Sequence, residues 1–197
     1  MIRKGWLGLA CLLAAGPILA QSAAGFKGEY LAELRGPSRQ VLALAEAMPA
    51  EKYSWRPGPG VRSVSEVYVH IAAGNFLLLD LIGVPPPEDL YGRIEASAGE
   101  RPGVMVKRNQ ELEKTVTGKE SAIGMLKRSL DAVREAFTKT SEADLNQPVK
   151  FFRRDATLRA IYLRILAHLN EHMGQSVAYA RVNAVVPPWS LPKADRK

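Results

Sequence analysis

The chain has 197 residues, and 27 Lys and Arg against 20 Asp and Glu give it a formal charge of +7 at pH 7. A hydrophobic share of 47% and a charged share of 24% are typical of a folded globular domain and exclude a disordered or collagen-like chain. The single cysteine excludes an internal disulfide framework and a cysteine-based zinc knuckle.

The first 20 residues have the layout of a secretory signal peptide. Arg3 and Lys4 form a positive start, an uncharged apolar stretch follows, and Ala20 is a small residue at the expected cleavage position. The apolar stretch is shorter than the roughly 20 residues of a membrane span. We therefore expect cleavage after Ala20, or up to four residues later, and export to the periplasm or the exterior. The mature domain, 21–197, would carry a charge of +5 and would not insert stably into a membrane.

The mature chain is predicted to consist of helices separated by Pro- and Gly-rich loops. The predicted helices share apolar residues at spacings of three and four and cover about 28–48, 64–82, 105–116, 118–139 and 158–183. Pro37 should kink or divide the first of them, because a proline inside a helix removes a hydrogen bond. Ser63 with Glu66 and Thr117 with Glu120 have the spacing of capping boxes that begin two of the helices.

Two long connections, 83–103 and 141–155, separate the later helices. Within the second connection, 149–152 is predicted to be extended, and Thr157 is placed to cap the last helix. No two segments with strand-like alternation lie where they could pair, so little sheet is expected. Four main helices with two long connections predict an all-α four-helix bundle.

The positive charge shows no nucleic-acid-binding pattern. Its two small clusters, 150–154 and 193–197, are not combined with a stacking platform or a known nucleic-acid motif. Charge clusters of this kind are typical of a solvated surface. We therefore expect no nucleic-acid partner.

All three histidines of the chain are predicted to face the core. On the last helix, the stripe that begins at Ile161 contains Ile165, His168, His172, Gln175 and Tyr179, all within about 40° of one line. On the second helix, His70 shares its stripe with Gly74, which lies one turn further on. Because glycine has no side chain, Gly74 is expected to leave room for a ligand.

Three inward-facing imidazoles are costly unless their nitrogens are satisfied, and protonated rings would repel one another. A divalent cation resolves both problems, because neutral imidazole is a preferred metal ligand. His168 and His172, one turn apart, together with His70, predict a three-histidine set with open positions, the pattern of a catalytic zinc site. The alternative is a structural bundle in which each buried ring bonds to a backbone or hydroxyl group.

The segment from His168 to His172 also spells H-x-x-E-H, the inverted zincin motif of some metallopeptidases. That motif needs an acidic third ligand downstream, and Asp195 is the only acid after His172. Glu171 also lies about 80° off the stripe, where a surface position is expected. A metallopeptidase is therefore the least favoured interpretation.

Two residues on the stripe are the candidate catalytic residues. Gln175 could orient a ligand from the turn after the histidines, although a polar residue at the bundle end is an equal alternative. Tyr179 could offer its hydroxyl to a substrate, whereas an aromatic residue on such a stripe more often packs in the core. Trp55 and Arg56 either line the mouth of a pocket or hold the proline-rich loop onto the bundle.

The segments KYSWRPGPGVRSVSEVYVHIAAGNF and AHLNEHMGQSVAYAR, which contain the three histidines, resemble the DinB/YfiT-like helical-bundle family. The resemblance covers nearly all of the mature chain. It implies an up-down-down-up four-helix bundle with one divalent metal on His70, His168 and His172. Zinc and nickel are the first candidates, followed by iron and manganese. Relatives frequently form homodimers, and some are thiol-dependent transferases or isomerases that use bacillithiol, mycothiol or glutathione.

The sequence therefore predicts an exported metal-dependent hydrolase, or a thiol or group transferase, that acts on a small molecule. The alternative is a non-catalytic metal- or ligand-binding protein of the cell envelope.

Overall fold

The structure is a computed structural model in which residues 25–192 are described. The predicted signal peptide and the last five residues lie outside this range. The helices are α1 (Phe26–Ala47), α2 (Val64–Asp80), α3 (Glu88–Tyr91), α4 (Arg101–Thr115), α5 (Lys119–Lys139) and α6 (Leu158–Val182). Two strands, β1 (Pro148–Phe151) and β2 (Arg154–Thr157), form an antiparallel hairpin. Within the described range, no helix combines the length and the apolar character that crossing a membrane requires.

Local capping explains where two of the long helices begin. At the start of α2, the Ser63 hydroxyl accepts from the backbone N–H of Glu66, and the Glu66 carboxylate accepts from the backbone N–H of Ser63. This confirms the first capping box. At the start of α6, the Thr157 hydroxyl accepts from the backbone N–H of Ala160, as predicted.

The second predicted capping box, Thr117 with Glu120, is wrong. The residue before α5 is Gly118, and no side chain caps this helix. Gly118 has a φ of 86°, a left-handed conformation that glycine adopts without strain. This turn leaves Thr117 outside the helix start, so its hydroxyl is not in the N-cap position.

Pro37 does not divide α1, which continues as one helix of 22 residues. The proline lacks the N–H that would bond one turn back. The helix nevertheless buries side chains both before and after Pro37, including Leu34 and Val41, against the rest of the bundle. This packing on both sides accounts for the unbroken helix, so of the predicted kink or division the division does not occur.

Side-chain contacts near the helix ends establish the up-down-down-up order. The Lys119 ammonium at the start of α5 donates to the Glu46 carbonyl near the end of α1, so these helices are antiparallel. Tyr30 packs on Tyr162 with ring centroids 5.7 Å apart, so α1 and α6 begin side by side.

Helices α2 and α5 run in the same direction. Ser65, early in α2, donates to the carbonyl of Val116, just before α5, and Asn75 donates to Ser129 near the middle of both helices. Together with the order of α1, α5 and α6, this parallel pair gives the predicted topology.

Helix α2 is the centre of the molecule. It packs against α4, α5 and α6, and twelve of its seventeen residues are buried. Asn109 anchors α4 to α2, because its amide donates to the Ala73 carbonyl while its oxygen accepts from the Tyr91 hydroxyl. Helix α4 is therefore a fifth long helix that packs beside the four-helix bundle, and its side chains contact α2.

The β-hairpin has two strands, whereas the sequence predicted a single extended segment. Strand β1 covers most of the segment expected to be extended, whereas β2 was not predicted as a strand. The register pairs Val149 with Ala156, and both strands are only partly buried. In β1, Val149 and Phe151 alternate with exposed residues and pack against the core, but this run is only four residues long. In β2 the only apolar side chain is that of Ala156, so the period-two signal of this strand is weak.

Candidate metal centre

Helices α2 and α6 bring the three histidines together. One ring nitrogen from each of His70, His168 and His172 lies within 4.8 Å of the others. The ring centroids are 4.6–5.0 Å apart, and the Nε2 atoms of His70 and His168 are separated by 3.2 Å. His168 is buried, and the other two are partly exposed. The three residues that the sequence singled out therefore form one cluster.

The nitrogen spacing suits two ligands of a single ion. Zinc binds imidazole nitrogen at about 2.0–2.1 Å, so two nitrogens in a tetrahedral set lie about 3.3 Å apart. The distance of 3.2 Å between the Nε2 atoms of His70 and His168 agrees with this value. The cluster can therefore hold a divalent cation without a large rearrangement of these two rings.

Glu113 of α4 sets the tautomer of His70. Its Oε1 lies 2.7 Å from His70 Nδ1, and its Oε2 accepts from Arg62 Nε at 2.7 Å. Because an ionised carboxylate only accepts, His70 carries its proton on Nδ1. The lone pair of His70 is then on Nε2, the atom that faces His168. A carboxylate behind a histidine is the usual arrangement in metal sites, where it orients the ring and raises its basicity.

A second chain of hydrogen bonds sets the tautomer of His172. The Arg62 carbonyl can only accept, so the Tyr179 hydroxyl donates to it at 3.1 Å. That hydroxyl accepts from the Gln175 amide nitrogen at 2.9 Å, which turns the Gln175 oxygen toward His172 Nδ1, also at 2.9 Å. His172 therefore carries its proton on Nδ1 and has its lone pair on Nε2. Gln175 and Tyr179, the candidate catalytic residues, both orient His172.

Gly74 makes room for His168 itself. A Cβ at position 74 would lie 2.4 Å from His168 Cε1 and 3.0 Å from its Nδ1. The expectation that Gly74 would leave space for a ligand is corrected accordingly, because the imidazole fills that space.

The hydrogen bonds of the cluster do not match a purely structural role. That alternative predicts rings bonded to backbone or hydroxyl groups, whereas His70 and His172 bond to a carboxylate and an amide side chain. Among residues 25–192, the ring of His168 has the ring of His70 as its only polar partner, and its Nδ1 is buried without a partner. Three ring nitrogens that converge in this way could hold a divalent cation.

The environment favours the neutral form of His168 and of His172. Burial lowers the pKa of His168 to about 3, and the neighbouring His172 and His70 rings add to this effect. Burial also lowers the pKa of His172, against the opposing effect of the hydrogen bond that its Nδ1 donates to Gln175. Burial alone would raise the pKa of Glu113, but the hydrogen bonds from His70 and Arg62 outweigh it and lower that pKa. Near neutral pH the neutral rings of His168 and His172 therefore lie close to an ionised Glu113 carboxylate.

The metal-free protein should lose stability as the pH falls from about 6.5 toward 3. An unfolded histidine has a pKa of about 6.5, so the unfolded state binds more protons than folded His168 in this range. At pH 5 the loss should be about 2 kcal/mol relative to pH 7. Urea unfolding at the two pH values measures the loss, and the control His168→Leu should reduce it, with the remainder due to His172, whose pKa is also lowered. An equal pH dependence in this variant would contradict the assignment.

Trp55 and Arg56, which the sequence also singled out, hold the proline-rich loop against the bundle. Trp55 packs edge-to-face on Tyr179 with centroids 5.3 Å apart. Arg56 pairs with Glu66 and donates to the carbonyl of Val61. Both side chains therefore fasten the proline-rich loop to the bundle, which was one of the two alternatives.

Glu171 of the H-x-x-E-H pattern is exposed and pairs with Arg164 at 3.4 Å. This placement agrees with the predicted position off the histidine stripe. Asp195, the acid that a metallopeptidase reading would need, lies outside the described residues.

Sequence reasoning missed Glu113 and Arg62. Glu113 lies in a segment predicted to be helical, but it is 43 positions from His70, and no local spacing links the two. The available signal was weaker: an acid that directly follows Leu112 and lies one turn after Asn109, both on the buried side of α4. Only the packing of α4 on α2 turns that carboxylate toward the cluster.

Replacement of Glu113 by glutamine should weaken metal binding by about tenfold to a hundredfold, the usual cost of removing a carboxylate behind a ligating histidine. The amide removes the negative charge and cannot accept from both His70 and Arg62 with the same geometry. Competition titration against a zinc-binding dye measures the effect. Glu111→Gln is the matched control, because Glu111 is exposed on the same helix and pairs with Arg108. Equal affinities of Glu113→Gln and the wild type would contradict the role of Glu113.

Comparison with known proteins gives a family and a fold. The family model for the DinB superfamily matches residues 34–176, more than half of the chain. A DinB-like protein from Bacillus cereus ATCC 10987 is similar at 15% identity with a TM-score of 0.53, covering 82% of this chain and 95% of that one. A DinB-like protein from Bacillus subtilis is similar at 18% identity with a TM-score of 0.50, covering 83% and 95%. At these identities the two structures show the fold alone. No protein with curated function matches the sequence.

Proposed function

Because the chain belongs to the DinB superfamily and three of its imidazoles converge, we propose that it binds one divalent metal through His70, His168 and His172. We further propose that the metal serves hydrolysis or group transfer on a small molecule. The observation that carries the proposal is the convergence of the three rings, with His70 and His172 held in tautomers that place the lone pair on Nε2.

The ligand set supports a site with open positions. Within residues 25–192, the metal-competent cluster consists of three histidines and no fourth protein ligand. Three protein ligands are typical of catalytic zinc sites, whereas structural sites are closed by four. Imidazole donors suit zinc and nickel, with iron as a further candidate. A divalent cation at this point would supply Lewis acidity.

The protein's own residues would prepare the site. Glu113 and Gln175 hold the rings of His70 and His172, so these rings do not have to reorient when a metal binds. Such preorganisation lowers the entropic cost of binding.

A non-catalytic metal-binding protein is the second candidate. The observation that favours it is that Gln175 and Tyr179 use their polar atoms to orient His172 and to reach Arg62. Neither side chain is then free to act as a general acid or base, so turnover must be measured separately from metal binding.

Elemental analysis of protein refolded with zinc or with nickel tests the metal site. We expect one equivalent per chain in the wild type and less than about a tenth in His172→Ala, because the loss of a direct ligand costs more than the tenfold to hundredfold of an outer residue. Glu171→Ala is the matched control on the exposed face of the same helix and should retain the metal. A wild type that binds neither ion would contradict the proposal.

Turnover separates an enzyme from a binding protein. The metal-loaded and metal-free forms should be assayed on model esters and, with added thiols, on small electrophilic acceptors. A metal-dependent rate with either group of substrates supports an enzyme. The absence of such a rate with both groups supports a binding protein.

Export is part of the proposal and rests on the first 20 residues of the sequence. Mass spectrometry of the mature protein from a bacterial envelope fraction tests it. Cleavage between residues 20 and 24 supports export, and an intact amino terminus contradicts it.

A further inference from the structure

We propose that Arg62 binds an anionic group, a carboxylate or a phosphate, of the molecule that the metal site accepts. This inference rests on the metal site proposed above and names the chemical class of its ligand.

Arg62 lies next to the cluster and is held there from two sides. Its residue precedes Ser63, the N-cap of α2, and its carbonyl accepts from the Tyr179 hydroxyl of α6. Its guanidinium donates to Glu113 through Nε at 2.7 Å and through Nη2 at 3.4 Å. The same carboxylate is 2.7 Å from His70 Nδ1. A single carboxylate therefore separates the guanidinium from a ring of the cluster.

The outer edge of the guanidinium is available to a ligand. A guanidinium has five N–H donors, and Glu113 engages the Nε–Nη2 edge. Within residues 25–192 no hydrogen bond uses Nη1, and the side chain is 40% exposed. The planar fork of arginine matches the geometry of carboxylate and phosphate. Arg62 is thus immobilised on one edge and open on the other.

The charge balance of the site favours an anion. The negative charge of Glu113 offsets the positive charge of Arg62, so a divalent cation on three neutral imidazoles would add two uncompensated positive charges. The other nearby acids are already paired: Glu66 with Arg56 and Glu171 with Arg164. A concentration of positive charge whose neighbouring acids in the described part of the chain are already paired attracts and orients anionic ligands.

Cobalt-loaded protein provides the test, because the visible absorption of cobalt reports a ligand that reaches the metal. Acetate and methylphosphonate are titrated as the two anions, with acetamide as the neutral probe of the same size as acetate. The variants are Arg62→Gln and Arg62→Lys. Arg164→Gln is the matched control, since this arginine is also ion-paired near the cluster but lies on the outer face of α6.

We expect Arg62→Gln to weaken the binding of acetate or methylphosphonate by about tenfold or more, the contribution of a charge-assisted hydrogen bond. Arg62→Lys should fall between this variant and the wild type, because it keeps the charge and loses the fork. Arg164→Gln should bind like the wild type, and acetamide should bind at least about tenfold more weakly than acetate. The anion with the larger loss identifies the group that Arg62 recognises.

Equal anion affinity in the wild type and Arg62→Gln, with cobalt still bound, overturns this inference and leaves the metal site standing. A wild type that does not bind cobalt overturns both. Circular dichroism verifies folding of each variant. If Arg62→Gln does not fold, Arg62→Lys decides, and wild-type anion affinity in that variant overturns the inference.

Discussion

Replacement of Gly74 by alanine should destabilise the metal-free protein by about 1–3 kcal/mol, the usual cost of overpacking a core. In an ordinary helix the same change stabilises by about 0.5–1 kcal/mol, so the expected sign is reversed. The reason is that the new Cβ would lie 2.4 Å from His168 Cε1. Since the ring must move, metal affinity should also fall by more than tenfold, which is about 1.4 kcal/mol. Urea unfolding and zinc titration measure the two effects.

Two controls isolate the contact between Gly74 and His168. Gly124→Ala on α5 should stabilise the protein, because a Cβ there meets nothing within 4 Å. In the background of His168→Ala, the Gly74→Ala change should lose its penalty, because the atom it strikes is gone. A penalty that persists in the double variant would mean that the clash is with another group.

Replacement of His168 by leucine should reduce metal affinity by more than about a hundredfold, a larger loss than that of an outer residue, because it removes a direct ligand. The metal-free protein should not lose stability. Leucine fills a similar volume and removes a buried nitrogen that has no partner, and such a nitrogen costs about 1–3 kcal/mol. The hydrogen bond to His70 is lost, but His70 is 23% exposed, so water can replace it.

This prediction separates a metal ligand from a structural histidine. If the metal-free His168→Leu protein unfolds more easily than the wild type by about 2 kcal/mol or more, His168 stabilises the fold by itself, as a buried hydrogen-bonded residue would. Wild-type zinc affinity in this variant would contradict the three-histidine site directly.

Several features could be predicted because their causes are local. The capping box of Ser63 and Glu66 and the cap at Thr157 depend on residues three positions apart. The inward direction of His168 and His172 follows from helical periodicity, because Ile161 and Ile165 on the same stripe are buried. Each of these features needs only the geometry of one helix.

The two incorrect predictions, a cap at Thr117 and a division of α1 at Pro37, also have identifiable physical causes. Thr117 has the spacing of a cap, but the left-handed turn at Gly118 takes over the start of α5. Proline disfavours a continuous helix, but the packing of side chains on both halves of α1 outweighs the one hydrogen bond that is missing at Pro37. In both positions a neighbouring or distant contact overrides the local preference.

By itself, the sequence determined the five long helices to within a few residues, the direction of the three histidines and the family resemblance, because periodicity, capping and short motifs act within about one or two turns of a helix. Only the tertiary structure decided that α4 packs on α2 and turns Glu113 toward His70. It also decided that Gly74 accommodates the ring of His168, and that Arg62 joins both chains of hydrogen bonds. These contacts link residues tens of positions apart, and no sequence period encodes them.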